Sequence, residues 1–223
     1  MSYILGDIAD KVRTRVRDTS YDPSATKNFI NDAQNDIFNE YRLPFMEATQ
    51  DYTLTVGAAD ITNGSGLPTN FVIPIDITLT STGYEKGLPI RDVREMDALH
   101  PDYENSTLYP SGTPSEAYKY AQTIKVFPEP NLAYTLTLRY YKRPTILTSD
   151  SDIPSLPSEF EEMLVLGAAY RVLQAKDNYD QAGVLENKYH ELLDKLVMKY
   201  SRNQVGMPTI MRVNRYVLGS KRY

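Results

Sequence analysis

The sequence predicts an α+β protein: an antiparallel helical bundle from both chain ends, an inserted antiparallel β module, and an extended C-terminal arm. Three observations carry that expectation. Apolar residues recur at helical spacing near both chain ends, they alternate with polar ones through the middle, and the last 23 residues follow neither pattern. On this basis residues 1–45 and 156–200 form the bundle, 46–155 the β module and 201–223 the arm.

Ile4, Leu5, Ile8, Val12 and Val16 step at helical intervals and predict a first helix that stops before Asp18-Thr19-Ser20. Asp22-Pro23-Ser24 then reads as a helix start, with the carboxylate as cap and proline at the first helical position. Phe29, Ile30, Ala33, Ile37, Phe38 and Tyr41 form one stripe that ends before Pro44. A single helical pair cannot close a core, so both helices need further surfaces.

Tyr52, Leu54 and Val56 alternate and predict a strand over 51–56. Ile73, Ile75, Ile77 and Leu79 predict another, with Pro74 marking an edge or strand-start position. Residues 82–87 read as a turn, and a short helix is expected from about Asp92 to Leu99, broken by Pro101. The loop over 106–114 carries two prolines and a glycine. From Tyr118 to Pro144 the even positions are mostly apolar, among them Ile124, Val126, Leu136 and Leu138, which predicts a central meander turned at Pro128-Glu129-Pro130-Asn131.

Residues 142–157, with three prolines, read as a linker. A second helical pair follows from Ser158, its opening turn carrying Glu159, Glu161 and Glu162 where the helix dipole favours anions. Met163 to Tyr170 is apolar nearly all round, predicting a buried helix in which Gly167-Ala168-Ala169 admits a close neighbour. After a turn at Asp177-Asn178, the seam Ala182, Leu185, Tyr189, Leu192, Leu196 is spaced for antiparallel packing on that helix.

Composition narrows the chemistry. There is no cysteine, so disulfides and thiolate metal sites are excluded, and His100 and His190 lie on different elements. The longest uncharged apolar run is eight residues, short of the roughly 20 that cross a bilayer. Without a signal-peptide core at its start, the protein is expected in a cytoplasm. The zinc-helix, phosphate-loop, dinucleotide and nucleophile-elbow patterns are absent. Asp150 and Asp152 read as solvated loop residues rather than an acid–base pair, and the glutamates at 159–162 as helix-start charges rather than ligands. No enzyme and no cofactor is expected.

Charge is unevenly spread. Arg202, Arg212, Arg215, Lys221 and Arg222 fall in 201–223 with no acidic residue, leaving residues 1–200 with 19 positive and 29 negative charges. The segment from Met207 to Leu218 is rich in apolar and β-branched residues. Two readings stay open for it: packing on its own domain, or binding a partner by strand addition or groove filling. Arg139-Tyr140-Tyr141-Lys142-Arg143 could serve nucleic-acid binding, but reads better as a strand end with a buried tyrosine, since an acidic body repels phosphates.

In this order the features resemble the tail-adaptor proteins of tailed bacteriophages, the head-to-tail connectors of the gatekeeper type. The resemblance rests on four places. They are Phe29-Ile30-Asn31-Asp32-Ala33; Leu67-Pro68-Thr69-Asn70-Phe71 with the later Ile90–Leu99 segment; Ile124 to Pro130 followed by Leu136 to Pro144; and Ile153 to Phe160 opening an Ala- and Leu-rich helix. It implies a structural virion protein of the neck, made in the host cytoplasm, that forms a ring of copies, typically twelve-fold. That ring would lie between the portal protein and the next tail component, a nozzle or tail-tube protein, with no membrane contact. Genomic DNA would pass through its channel without specific binding. The arm would dock on the portal through Arg202, Met207, Ile210, Arg212, Val213, Arg215, Tyr216, Leu218, Lys221 and Arg222, and Leu185, Tyr189, Leu192 and Leu196 would serve subunit packing. The alternative is a nucleic-acid-binding protein using Arg139–Arg143 or the basic tail.

Overall fold

The computed structural model describes residues 3–202, apart from 63–65, 82–83, 104 and 106. Helices and strands segregate along the chain as an α+β order. Helices α1 (Leu5–Arg15) and α2 (Pro23–Glu40) come first, then strands β1 (Glu47–Leu54), β2 (Phe71–Ser81), β3 (Tyr84–Leu88) and β4 (Ile90–Asp92). Helix α3 (Val93–Leu99), strands β5 (Glu116–Tyr120), β6 (Thr123–Phe127) and β7 (Tyr134–Lys142), and helices α4 (Glu161–Ala175) and α5 (Tyr179–Arg202) follow. Two compact units result: a helical one from the described residues of Met1–Phe45 and Pro144–Tyr223, and a β one from Met46–Arg143.

In the helical unit α4 is central, touching α1, α2 and α5. Its unbroken apolar run explains this: every residue from Met163 to Ala169 is buried, as are Val172 and Leu173. Each large side chain so buried contributes about 1.5–3 kcal/mol relative to exposure. Helix α1 turns Leu5, Ile8, Ala9 and Val12 inward. In α2, Asp22 caps by accepting from the Ser24 N–H at 2.9 Å, with Pro23 in the first turn. Helices α1 and α4 end alike. Arg17 and Asp177 take positive φ, and the Asp18 and Asn178 N–H groups donate back to the Arg13 and Leu173 carbonyls.

Two expectations change here. The seam of α5 runs through Ala182, Tyr189, Leu193 and Val197, while Leu185, Leu192 and Leu196 are only half-buried. A spacing of 3.5 suits one straight partner; α5 also meets a ring cluster at its far end, where Tyr200 packs on Phe45 and Phe160 at 5.3 and 5.6 Å, and the buried row drifts accordingly. The linker-like stretch, in turn, is a strap fixed to the helices. Leu147, Pro154 and Leu156 are buried. The Asn31 side chain both donates to and accepts from the Leu147 backbone at 2.9 Å, and Gln34 donates to the Thr145 carbonyl and accepts from the Ser155 N–H. The Leu5 and Gly6 N–H groups, which have no partner inside α1, donate to the Asp152 and Asp150 carbonyls.

In the β unit the expected meander does not form. The strands make a four-stranded sheet, β1-β7-β2-β3, and a three-stranded one, β4-β5-β6. The chain changes sheet at Pro128–Asn131: prolines lack the N–H that would extend β6, and β7 pairs antiparallel between β1 and β2 instead. The period-two reading assumed that all even positions share a face. Across the two-residue turn at Ala121-Gln122, however, Tyr118 pairs with Lys125 and Ala117 with Val126, so even positions of β5 and β6 point oppositely. Tyr118 therefore joins Met96 and Phe127 in a small core under α3, while Ile124 and Val126 join Leu54, Ile77, Leu136 and Leu138 in the main one. Tyr120 and Leu132 are exposed.

Three smaller corrections follow. The small sheet is mixed, because β4 runs parallel to β5. The predicted turn over 82–87 is in large part the strand β3, whose sequence Tyr-Glu-Lys-Gly-Leu lacks alternation. Strand β1 starts four residues and ends two residues earlier than its pattern predicted, leaving Val56 exposed. Pro74 sits where β2 has passed beyond β3, beside a register shift against β7.

Candidate interaction surfaces

Polar side chains in the described residues are mostly committed to structure. Glu161 and Glu162 accept from Lys11 at 2.6 Å and Arg15 at 2.8 Å, tying the start of α4 to α1, and Glu159 accepts from Lys199 at 2.7 Å. Asp150 pairs with Lys27, and Asp152 accepts from the Thr148 and Ser149 N–H groups, which holds its carboxyl below the usual carboxylate range. Asp18 accepts from Lys176 at 2.7 Å, a bond that, with those from Ser20, lowers its pKa to about 2. These roles match the helix-start and loop readings.

His100 lies among rings, 4.5 Å from Phe127 and 5.9 Å from Tyr109, and 3.7 Å from Glu116, which in turn is bonded by Arg91 at 2.6 Å. His190, on α5, meets the Tyr189 ring. Among the described residues no cluster of three or more potential ligands could hold a metal ion, and no helix is long and apolar enough to cross a membrane. Among the described residues, one open depression is lined by Asp7, Lys11, Arg15 and Glu162, and another by Asp97, Asp102, Tyr103 and Tyr120. Neither brings together a nucleophile, a base and an orienting group.

The residues singled out for binding fall in three places. Arg139 to Lys142 end β7, and Arg143 follows it. Tyr140 is buried and bonded to Asn70 at 3.0 Å, so its ring is closed to a stacked base, and Arg139 faces Asp76 at 3.5 Å. Of the α5 residues, Tyr189 is inside its own protomer, against Gly167 and Tyr170, and burial raises its hydroxyl pKa. Leu185, Leu192 and Leu196 remain half-exposed, with Val184 and Met198 more exposed still. Arg202 closes α5, and Met207, Ile210, Arg212, Val213, Arg215, Tyr216, Leu218, Lys221 and Arg222 lie outside the described residues.

Sequence reasoning missed two features. One is the ring cluster of Phe38, Phe45, Phe160 and Tyr200, whose members are far apart in the chain. The other is the outer edge of the four-stranded sheet. Strand β1 pairs residue for residue with β7 over eight positions, without a bulge, and Thr49, Gln50 and Asp51 are exposed. The sheet order leaves its other side unpaired by any described strand.

A protein-family model described as SU10 adaptor protein matches residues 3–212. No curated protein matches the chain.

Proposed function

The chain belongs to the SU10 adaptor protein family, a family of phage structural adaptors, and from that premise we propose that it joins the portal of the phage head to the tail. In this reading copies stand side by side as a ring beneath the portal, bind the next tail component on their other side and transform nothing chemically. The observation that carries it is the extent of the family match, residues 3–212, which takes in both units rather than one motif. Two surfaces support assembly: the half-exposed leucines of α5, and the cationic segment beyond Arg202. Acidic residues outnumber basic ones over 1–200, which supports a body past which DNA moves without adhering.

The experiment is direct. The protein mixed with its portal is expected to elute from a sizing column as one co-migrating complex, with multiple copies per portal. Separate elution over a range of protein concentrations would count against the adaptor role. A DNA mobility shift at near-physiological salt would favour nucleic-acid binding instead.

A further inference from the structure

Every other sheet edge in the described residues is blunted, and β1 is not. Natural proteins guard edges with brevity, lysine, proline, bulges or a covering segment. Strand β3 has five residues, including Lys86 and Gly87, and β4 has three. The outer side of β6 is covered by the preceding segment, through Ile61 N–H to the Ile124 carbonyl at 3.0 Å and Val126 N–H to the Ala59 carbonyl at 2.8 Å. Where β2 runs beyond β3 it carries Pro74 and two register shifts. Strand β1 has eight residues, no proline, no lysine and no bulge, and its charged residues are Glu47 and Asp51.

We propose that the outer edge of β1 accepts an added strand, residues 209–218 of a second copy of this chain. Three observations choose that occupant. The segment is bounded by Pro208 and Gly219 and contains Ile210, Val213, Tyr216 and Val217, a composition suited to a strand. Its charge is also suited: 201–223 holds five basic residues and no acidic one, against the Glu47 and Asp51 carboxylates that share a face of β1, and either Arg212 or Arg215, which lie on opposite faces of a strand, can turn to that face. Its length is also sufficient. The seven residues between Arg202 and Ile210 span about 23 Å when extended, which lets the segment stand clear of the end of α5. Strand addition then supplies main-chain hydrogen bonds for affinity, and one arginine facing the β1 carboxylates favours a register. The inference rests on the adaptor reading and gives it a mechanism: each copy holds the next by its trailing segment, a head-to-tail contact that closes into a ring when the rotation allows.

The chain contains no cysteine, so engineered thiols are the only ones present. Full-length Thr49→Cys is mixed, without portal and under mild oxidation, with full-length Met211→Cys, Val213→Cys or Arg215→Cys. Opposed positions on paired strands lie within disulfide reach. A disulfide-linked heterodimer is expected with at least one of the three, and none when Glu85→Cys on the β3 edge replaces Thr49→Cys. Adding Asp51→Lys to the Thr49→Cys chain should lower the yield severalfold, and raising the salt should do the same. Three outcomes overturn the proposal: no heterodimer with any tail position, a yield unmoved by Asp51→Lys, or doubly substituted chains that close only on themselves. Should those pairs fail while the protein still co-elutes with portal, the adaptor reading stands and strand addition falls. Linked pairs without portal binding would mean the reverse.

Discussion

A Cβ built on Gly167 would lie 2.8 Å from the Cβ of Ala33 and 3.1 Å from Cε2 of Tyr189. The glycine therefore sets how closely α2 and α5 approach α4 at that level. Gly167→Ala is expected to gain about 1 kcal/mol of helix propensity. It should lose more through overpacking, about 1–3 kcal/mol, because one obstructing atom is a backbone-proximal Cβ that cannot swing away. The net is a lower urea midpoint with unchanged slope, and Ala33→Gly in the same chain should restore part of it. A midpoint equal to or above that of the parent would show that the helices can separate without loss. This position was legible beforehand, since Gly-Ala-Ala within an apolar run has few other uses. Tyr189 was legible only in part. Its spacing put it on the seam against α4, but nothing in the sequence said that beyond it the buried row would shift to Leu193 and Val197.

At the scale of elements, the helices were readable and their fastenings were not. Period and capping residues gave α1, α2 and α4 within a few residues, because burial of one stripe leaves a repeating trace. Asn31 and Gln34 leave none: polar residues beside an apolar stripe look like surface, yet their amides stand in for a strand partner along residues 145–155. Likewise the parity of a strand is visible in sequence, but the sheet it joins is decided by which edges remain open after Pro128 and Pro130. The strap supplies a prediction at this scale. Asn31→Leu keeps the side-chain size but strips both partners from the Leu147 backbone, at a cost of about 1–3 kcal/mol for each group left unsatisfied. Limited proteolysis should then cut within 145–155 faster than in the parent, while Asn28→Leu, at an exposed position of the same helix, should leave the rate unchanged. Equal rates for Asn31→Leu and the parent would show the strap is held by its buried Leu147 and Leu156 alone.

At the scale of the whole molecule, the question is what a chain with ordinary packing does with the apolar surface it leaves in water. Helix α5 keeps Leu185, Leu192 and Leu196 partly exposed although neighbouring Tyr189, Leu193 and Val197 are buried. A stable monomer gains nothing from such a row, whereas a subunit that meets a copy of itself gains burial there. Like-charged bodies repel one another in solution at distances up to about 10 Å at moderate salt, so an apolar contact would take effect only once copies are brought together, as on a portal. The double substitution Leu192→Glu with Leu196→Glu separates the two uses of α5. Because both side chains are already partly solvated, the variant should fold with a melting temperature near that of the parent. Its complexes with portal should carry incomplete or no rings in negative-stain images, even where single copies still bind. Complete rings formed by a folded double variant would remove α5 from the interface between copies and leave the outer edge of β1 as the surface to pursue.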